Sequence, residues 1–356
     1  MHIASGQLDK NFRKTADPKA ALNYYNALET PFRLCGFAWY ERDKVLWRLP
    51  RELMPQLADN LQTLAKCTSG GAIRFRTNSK TVALRAKLVY TVDNTNMPRS
   101  ATSGFDLYVG DGRRMVFKKM TAAAEKELEI DTIIINYLSG ETQECLINLP
   151  LRNGVTMLEI GLDADAHVEP PAPFALQNPV VFYGSSITQG ACASRPGNAY
   201  TAHLSRWLNA EQINFGFSGH ARGEIEVAQR IAECAMSAFV YDYDHNARSL
   251  EELESTYEPF YRTIRDKHPA IPVIMISRPD FDDCPEWNIK RRDIIRTAFN
   301  NARASGDENV YFIDGETLFG TKDRDACTVD ATHPNDLGFI RIAEGVYPML
   351  KQSLCR

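Results

Sequence analysis

Two stretches carry residue types that together could cleave an ester. "VVFYGSSITQG", Val180 to Gly190, is an apolar run that ends at a glycine and two serines. "DATHPNDLGF" opens with Asp330 and holds His333 three residues later. A serine hydroxyl is a poor nucleophile at neutral pH and needs an adjacent base. His333 is a candidate for that base, and Asp330 is spaced to accept from its other ring nitrogen. Of the two serines we read Ser186 as the nucleophile and Ser185 as a turn hydroxyl. Acyl transfer puts negative charge on the former carbonyl oxygen, so fixed N–H donors must point at it. The candidate donors are the Ser186 N–H, the Gly219 N–H and the Asn246 side-chain amide.

These residues need elements that bring them to one place. From Val180 onward, short continuous apolar runs alternate with amphipathic stretches. Strands are expected at "VVFY", "INFGF", "SAFVYDY", "IPVIMIS" and "NVYFID". Helices are expected over 198–208, 223–235, 250–267, 289–304 and 335–354. That alternation predicts an α/β fold with a doubly wound parallel sheet. Sites in such sheets form outside the carboxyl ends of the strands. Ser186, Gly219, Asn246 and the Asp330–His333 pair each follow a different strand. His220, His245 and Arg278 fall on the same edge and are possible substrate contacts. Arg278 could equally pair with Asp280 or Asp282. Pro334 suits a helix start that would fix the histidine loop.

The first half has a different period. "AIRFRT", "TVALRAKLVYTV", "ECLINLP" and "VTMLEIGLD" alternate in twos, and "GFDLYVGDGRRMVFKKM" is a hairpin turning at Gly110-Asp111-Gly112. Short strands with turns at even spacing predict an antiparallel β-sandwich, jelly-roll-like. Upstream, "RELMPQLADNLQTLAK" is a short helix candidate, and Trp39, Tyr40 and Trp47 are read as packing residues. Asp106 and Tyr108 are expected to form a structural hydrogen-bond pair inside the sandwich. Three closely spaced prolines, Pro170, Pro171 and Pro173, in "HVEPPAPFALQNP" mark a linker. The expected organisation is a β-sandwich domain over 1–170, a linker over 171–178 and an α/β/α domain over 179–356.

Composition narrows the function classes. The 356 residues are 44% hydrophobic and 24% charged, with a net charge of -4. That is a globular balance with no basic footprint for nucleic acid. No run approaches the roughly 18 apolar residues of a membrane span. "MHIASGQLDKNFRK" lacks an apolar leader, so a cytoplasmic location is expected. The eight cysteines form no CxxC pair, and reduced, mostly buried thiols are expected. Oligomeric state has no signature.

The blocks resemble a known family. "FYGSSITQG" looks like block I of the SGNH (GDSL-type) hydrolases, with Ser186 at the nucleophile position. "NFGFSGHARGE" and "YDYDHNA" are similar to blocks II and III, with Gly219 and Asn246 at the oxyanion positions. "DATHPNDLGF" matches block V and its DxxHPND pattern. "SGFDLYVGDG" resembles the GxDLY motif of a β-domain that precedes one branch of the family. The chain departs from the family in having Ser185 where an aspartate is usual, and Asp244-His245-Asn246-Ala247 where Gly-x-Asn-Asp is usual. The resemblance implies a flavodoxin-like domain of five parallel strands. It also implies a serine esterase acting on a short acyl ester, acetyl above all, of a carbohydrate or related small molecule. No metal or organic cofactor is implied. An acyltransferase using the same triad and a carbohydrate-binding protein with a vestigial catalytic half are the alternatives. A flavodoxin-type cofactor domain would leave the Ser, Asn and Asp-x-x-His set without a role.

Overall fold

The computed structural model describes residues 22–92, 94–282 and 284–355. The N-terminal stretch read above for a leader lies outside the described residues. Ten strands precede residue 170: β1 (Leu22–Asn26), β2 (Arg33–Cys35), β3 (Ala72–Thr77), β4 (Val82–Leu88), β5 (Gly104–Gly110), β6 (Val116–Ala122), β7 (Glu129–Ile135), β8 (Gln143–Asn148), β9 (Val155–Asp163) and β10 (Val168–Glu169). They form two antiparallel sheets, β1-β9-β4-β7 and β10-β3-β8-β5-β6, with β2 on the edge of β3. Alternation explains how these sheets face each other. Val82, Leu84 and Ala86 of β4 share one apolar core with Phe105 and Leu107 of β5 and with Ile147 of β8. The expected sandwich is therefore present. β1, β2, β7 and β10 were not anticipated.

The second half builds one parallel sheet in the order β12-β11-β13-β14-β15. Its strands are β11 (Val180–Gly184), β12 (Gln212–Gly216), β13 (Ala238–Asp242), β14 (Val273–Ile276) and β15 (Val310–Ile313). This is the flavodoxin-like order, with its switch point at β11. Alternate residues feed two cores. Val181, Tyr183, Phe215, Phe239 and Met275 face one layer, while Val180, Phe182, Val240 and Ile274 face the other. The helices are α1 (Tyr40–Asp43), α2 (Asp59–Ala65), α3 (Arg99–Thr102), α4 (Ser186–Gln189), α5 (Tyr200–Leu208), α6 (Ile225–Ile231), α7 (Leu250–Lys267), α8 (Pro285–Ala304) and α9 (Asp336–Ser353). α8 starts earlier than expected because Pro285 supplies a preset φ at its first position. The expected helix over 51–66 is broken, since Pro55 opens a separate 3-10 turn ahead of α2. Among the described residues no helix is long and apolar enough to cross a membrane.

The halves are locked together. Trp39, Leu49 and Leu61 join the core on one face of the parallel sheet, and Met97 and Leu151 join the core on the other. Trp39 packs 5.8 Å from the Phe215 ring, so its packing role lies between the halves. The Asp106 and Tyr108 side chains leave β5 on the face opposite Phe105 and Leu107. Asp106 accepts from Asn148 Nδ2 at 2.7 Å within the sandwich. Its other oxygen accepts from Gly197 N at 2.7 Å and Arg195 Nη1 at 3.0 Å across the seam. Tyr108 also meets Arg195. The pair expected inside the sandwich is thus an anchor for the loop that follows α4.

Arg48 is the second anchor. It is 1% exposed. It donates to Cys67 O and Leu64 O on its own side, and to Asn214 O and Gly216 O of β12 at 3.1 and 2.6 Å. Burial lowers its pKa to about 10, which leaves it charged at neutral pH. Arg48→Met removes the donor to four buried carbonyls at once. The expected loss of stability is about 3–5 kcal/mol in urea unfolding. A loss under about 1 kcal/mol would show that water replaces the guanidinium.

Candidate active site

Register brings the strand ends together. Gly184 pairs with Gly216 on one side and Asp242 on the other. Ser186, Gly219 and Asn246 follow these three residues within two to four positions. Gly184 has a steric reason that its place at the end of an apolar run did not reveal. A Cβ there would lie 1.6 Å from Asp242 Oδ1 and 2.2 Å from Thr188 Oγ1. Those two groups hydrogen-bond to each other directly over the glycine. Burial raises the Asp242 carboxyl to about 7 against the bonds from Thr188 and Tyr200.

Ser185 is fully buried, and its hydroxyl accepts from Ile187 N at 3.2 Å, capping α4. This is the turn role expected of it. Ser186 is the first residue of α4, so its N–H has no intrahelical partner. Its hydroxyl lies 2.9 Å from His333 Nε2. His333 Nδ1 lies 2.8 Å from Asp330 Oδ2. The three side chains therefore form one hydrogen-bonded line.

The loop that carries the histidine is tightly organised. Asp330 Oδ1 accepts from the main-chain N–H of His333 at 2.8 Å and of Thr332 at 3.3 Å. Val329 N donates to His333 O at 2.9 Å, closing the turn. Ala331, at its tip, has a φ of 66°. Pro334 lies just before the helix rather than at its start. Asn335 caps α9 by accepting from Leu337 N and Gly338 N. Burial works to raise the Asp330 carboxyl, but the bonds from His333 and Asn96 outweigh it and bring it to about 2. The folded value lies below the ordinary 3.8. The stabilisation is therefore complete above that value and is lost as pH falls towards 2.

Asn96 was not anticipated. It comes from the first half of the chain and donates from Nδ2 to Asp330 Oδ2 at 3.0 Å. No local pattern marks it, because its partner is 234 residues away. Asn96→Ala removes a bond to a half-exposed carboxylate, worth about 0.5–1.5 kcal/mol. kcat/KM is expected to fall by roughly 2- to 10-fold. An unchanged value would show that Asp330 needs no third donor.

The oxyanion candidates are held by a second set of bonds. Gly219 has a φ of 70° and open space where a Cβ would stand. The Ser218 carbonyl accepts from His220 Nδ1 at 2.9 Å. Since the peptide is planar and trans, this turns the Gly219 N–H to the opposite side. Arg222 Nη2 holds the Gly219 carbonyl at 3.1 Å. Gln189 Oε1 accepts from Ser218 N and Oγ at 2.9 and 2.8 Å, tying this loop back to α4. Arg152, between β8 and β9, reaches Ser218 Oγ at 2.9 Å. Asn246 Nδ2 donates one hydrogen to Phe217 O at 2.9 Å and keeps a second.

His245 and Arg278 converge on one carboxylate. His245 Nε2 lies 2.8 Å from Asp280 Oδ1, and Nδ1 lies 3.4 Å from Asp244. Arg278 Nε donates to the same Asp280 oxygen at 2.9 Å. Burial opposes charge on the His245 ring, but Asp280 outweighs it and raises the pKa to about 9. Arg291 grips Asp244 O and Ala247 O, the carbonyls on either side of Asn246. The Asp-His that replaces the family's Gly-x before the asparagine thus takes part in an ionic brace for that turn.

Comparison with known proteins agrees with this fold. Residues 177–351 match the model of the GDSL-like Lipase/Acylhydrolase family, and residues 22–168 match the N-terminal model of SGNH-hydrolase-type esterases. A solved structure from Bacteroides ovatus, described as a GDSL-like lipase, is 32% identical with a TM-score of 0.84. The alignment covers 94% of this chain and 98% of that one. The chain belongs to the GDSL-like lipase/acylhydrolase family. It is an enzyme of the acyl-ester hydrolase class. Salicylyl-acyltransferase SsfX3 from a tetracycline biosynthetic pathway shares the fold at 19% identity and a TM-score of 0.77, over 93% of this chain and 97% of that one. An acetyl xylan esterase from Butyrivibrio proteoclasticus does so at 13% and 0.61, over 94% and 99%. No curated protein sequence matches the chain.

Proposed function

We propose that this family member is a serine esterase that removes a short acyl group, acetyl above all, from a hydroxyl of a carbohydrate or related small molecule. The observation that carries the reading is the unbroken line from Ser186 Oγ through His333 to Asp330. Ser186 attacks the ester carbonyl while His333 Nε2 takes its proton. The N–H groups of Ser186 and Gly219 and the free hydrogen of Asn246 hold the oxyanion. His333 then protonates the leaving alcohol, and water repeats the cycle on the acyl-enzyme. A carbohydrate substrate is supported by fold relatives such as the acetyl xylan esterase and a family two carbohydrate esterase from Clostridium thermocellum solved with cellohexaose.

A second reading has a specific observation behind it, the fold shared with a salicylyl-acyltransferase. The same triad would then pass the acyl group to an alcohol instead of water. One experiment separates the two. Acetylated sugars and short 4-nitrophenyl esters are incubated with enzyme, with and without acceptor alcohols, and the Ser186→Ala variant serves as control. Free acetate at the same rate with and without acceptors supports the esterase. Acyl transfer that outruns acetate release would favour the transferase, and no turnover of any acetyl ester would sink the substrate class.

A further inference from the structure

The turn that leaves α4 brings a thiol to the triad. Gly190 has a φ of 101° and Ala191 N donates back to Ser186 O at 2.8 Å. The next residue, Cys192, holds a φ of 75°, a left-handed conformation that a non-glycine residue seldom adopts. It is 5% exposed and borders the apolar core under α5 and α9. Packing alone would suit a cysteine there, yet its neighbours are polar on one side. One ligand atom each from Cys192, Asp330 and His333 lies within 4.8 Å of the others.

We propose that these three residues form a site for a thiophilic divalent cation, zinc above all, and that its occupancy switches the enzyme off. Thiolate, imidazole and carboxylate are the donors zinc takes, and three protein ligands with one open position is a common zinc arrangement. Zinc–ligand bonds of about 2.0–2.3 Å place tetrahedral ligand atoms roughly 3.5 Å apart. No pair of ligand atoms is farther apart than 4.8 Å, so closing on the ion takes about 1 Å at most, while His333 Nδ1 and Asp330 Oδ2, now 2.8 Å apart, part slightly to admit it. His333 and Asp330, with side chains 27% and 37% exposed, have room for that movement and leave a path for the ion. On binding, the thiol proton passes to solvent and the metal–sulfur bond forms. The imidazole binds through one nitrogen and keeps its proton on the other. Water completes the fourth position. Asp330 and His333 then serve the metal, and the line to Ser186 is broken. Magnesium and calcium, which demand oxygen ligands, would not occupy this site.

This inference rests on His333 being the base of the proposed mechanism, and its test keeps the two ideas apart. The full-length protein is titrated with cobalt(II) as a spectroscopic stand-in, and separately assayed with zinc in chelator-free buffer. Wild type should show a thiolate-to-cobalt charge-transfer band at one equivalent. It should also show zinc inhibition that EDTA reverses and magnesium does not reproduce. Cys192→Ala should lose the band, and its half-inhibiting zinc concentration should rise by roughly 100-fold. Cys192→Gly, which suits the left-handed backbone, is the second variant should the alanine form fold poorly. No band in wild type, or zinc inhibition undiminished in both variants, would overturn the site. A band without inhibition would overturn the coupling to catalysis and count against His333 as the base, while leaving the metal site standing.

Discussion

Ser186→Ala is expected to lower kcat/KM on 4-nitrophenyl acetate by about 10⁴- to 10⁶-fold, and His333→Ala by a similar factor. The reason lies in how the two groups depend on each other. The hydroxyl is 2.9 Å from Nε2 and is nucleophilic only as its proton leaves for that nitrogen. Without the ring the serine is an ordinary alcohol, and without the serine the ring has nothing to activate. The double variant should therefore be no worse than either single one. Residual turnover should survive from the oxyanion donors, since these hang on bonds that neither substitution touches: His220 on Ser218 O, Arg222 on Gly219 O and Asn246 on Phe217 O. Ser186 is 8% exposed in a helix capped by its neighbour, so the alanine form should fold normally. Steady-state kinetics with circular dichroism as a fold check decides it. Activity within about tenfold of wild type in Ser186→Ala would remove the mechanism.

Asp330→Asn should cost about 10³- to 10⁴-fold in kcat/KM. The argument is one of donors and acceptors rather than of charge alone. Asp330 Oδ2 accepts from His333 Nδ1 and from Asn96 Nδ2, while Oδ1 accepts from the N–H groups of His333 and Thr332. An asparagine brings an NH₂ that must replace one of these oxygens. If it faces the ring, it meets Asn96 as well and forces Nδ1 to accept, so Nε2 carries the proton and cannot act as base. If it faces the main chain, it opposes two N–H donors and loosens the loop. Neither orientation avoids a donor–donor conflict. The measurement is kcat/KM across pH with fold verified in parallel. A loss under about tenfold would mean that the ring is oriented by other contacts.

Much of this site could be read in the sequence because each group follows a strand and carries its own chemistry. Ser186, Gly219, Asn246 and the Asp330–His333 pair follow different strands, and the parallel sheet has only one carboxyl edge to gather them. The strands of that sheet were equally plain, being short, mostly apolar runs that are largely buried. What escaped had no local signature. β1 and β7 are the two edges of their sheet and so are paired on one side only, with half-exposed residues that blur the alternation. Arg48 sits in a stretch rich in charge, and nothing nearby shows that its four acceptors are carbonyls, two of them more than 160 residues on. Asp106 and Tyr108 stood out as a motif. Their partner loop at Arg195 to Gly197 is separated by about 90 residues and could not be paired by spacing. His245 and Arg278 showed the converse limit. Their position on the active edge was legible, but not that Asp280 would hold both.

The seam between the halves bears on how such a chain can change over time. Arg48 reaches into β12 two carbonyls before the oxyanion loop, Asp106 pins the turn beyond the nucleophile, and Asn96 steadies the carboxylate behind the base. Asn96 lands on the triad itself, while Arg48 and Asp106 land on the backbone that leads to the oxyanion loop and away from the nucleophile. The sandwich is therefore not a passenger that recombination could trade for another of similar shape. A graft that kept every residue from Val180 onward would inherit the nucleophile, base and acid but not the hands that hold them. Residues 48, 96 and 106 thus serve the chemistry from the first half of the chain, each by steadying backbone or a carboxylate and not by reacting, so the two halves are expected to change together.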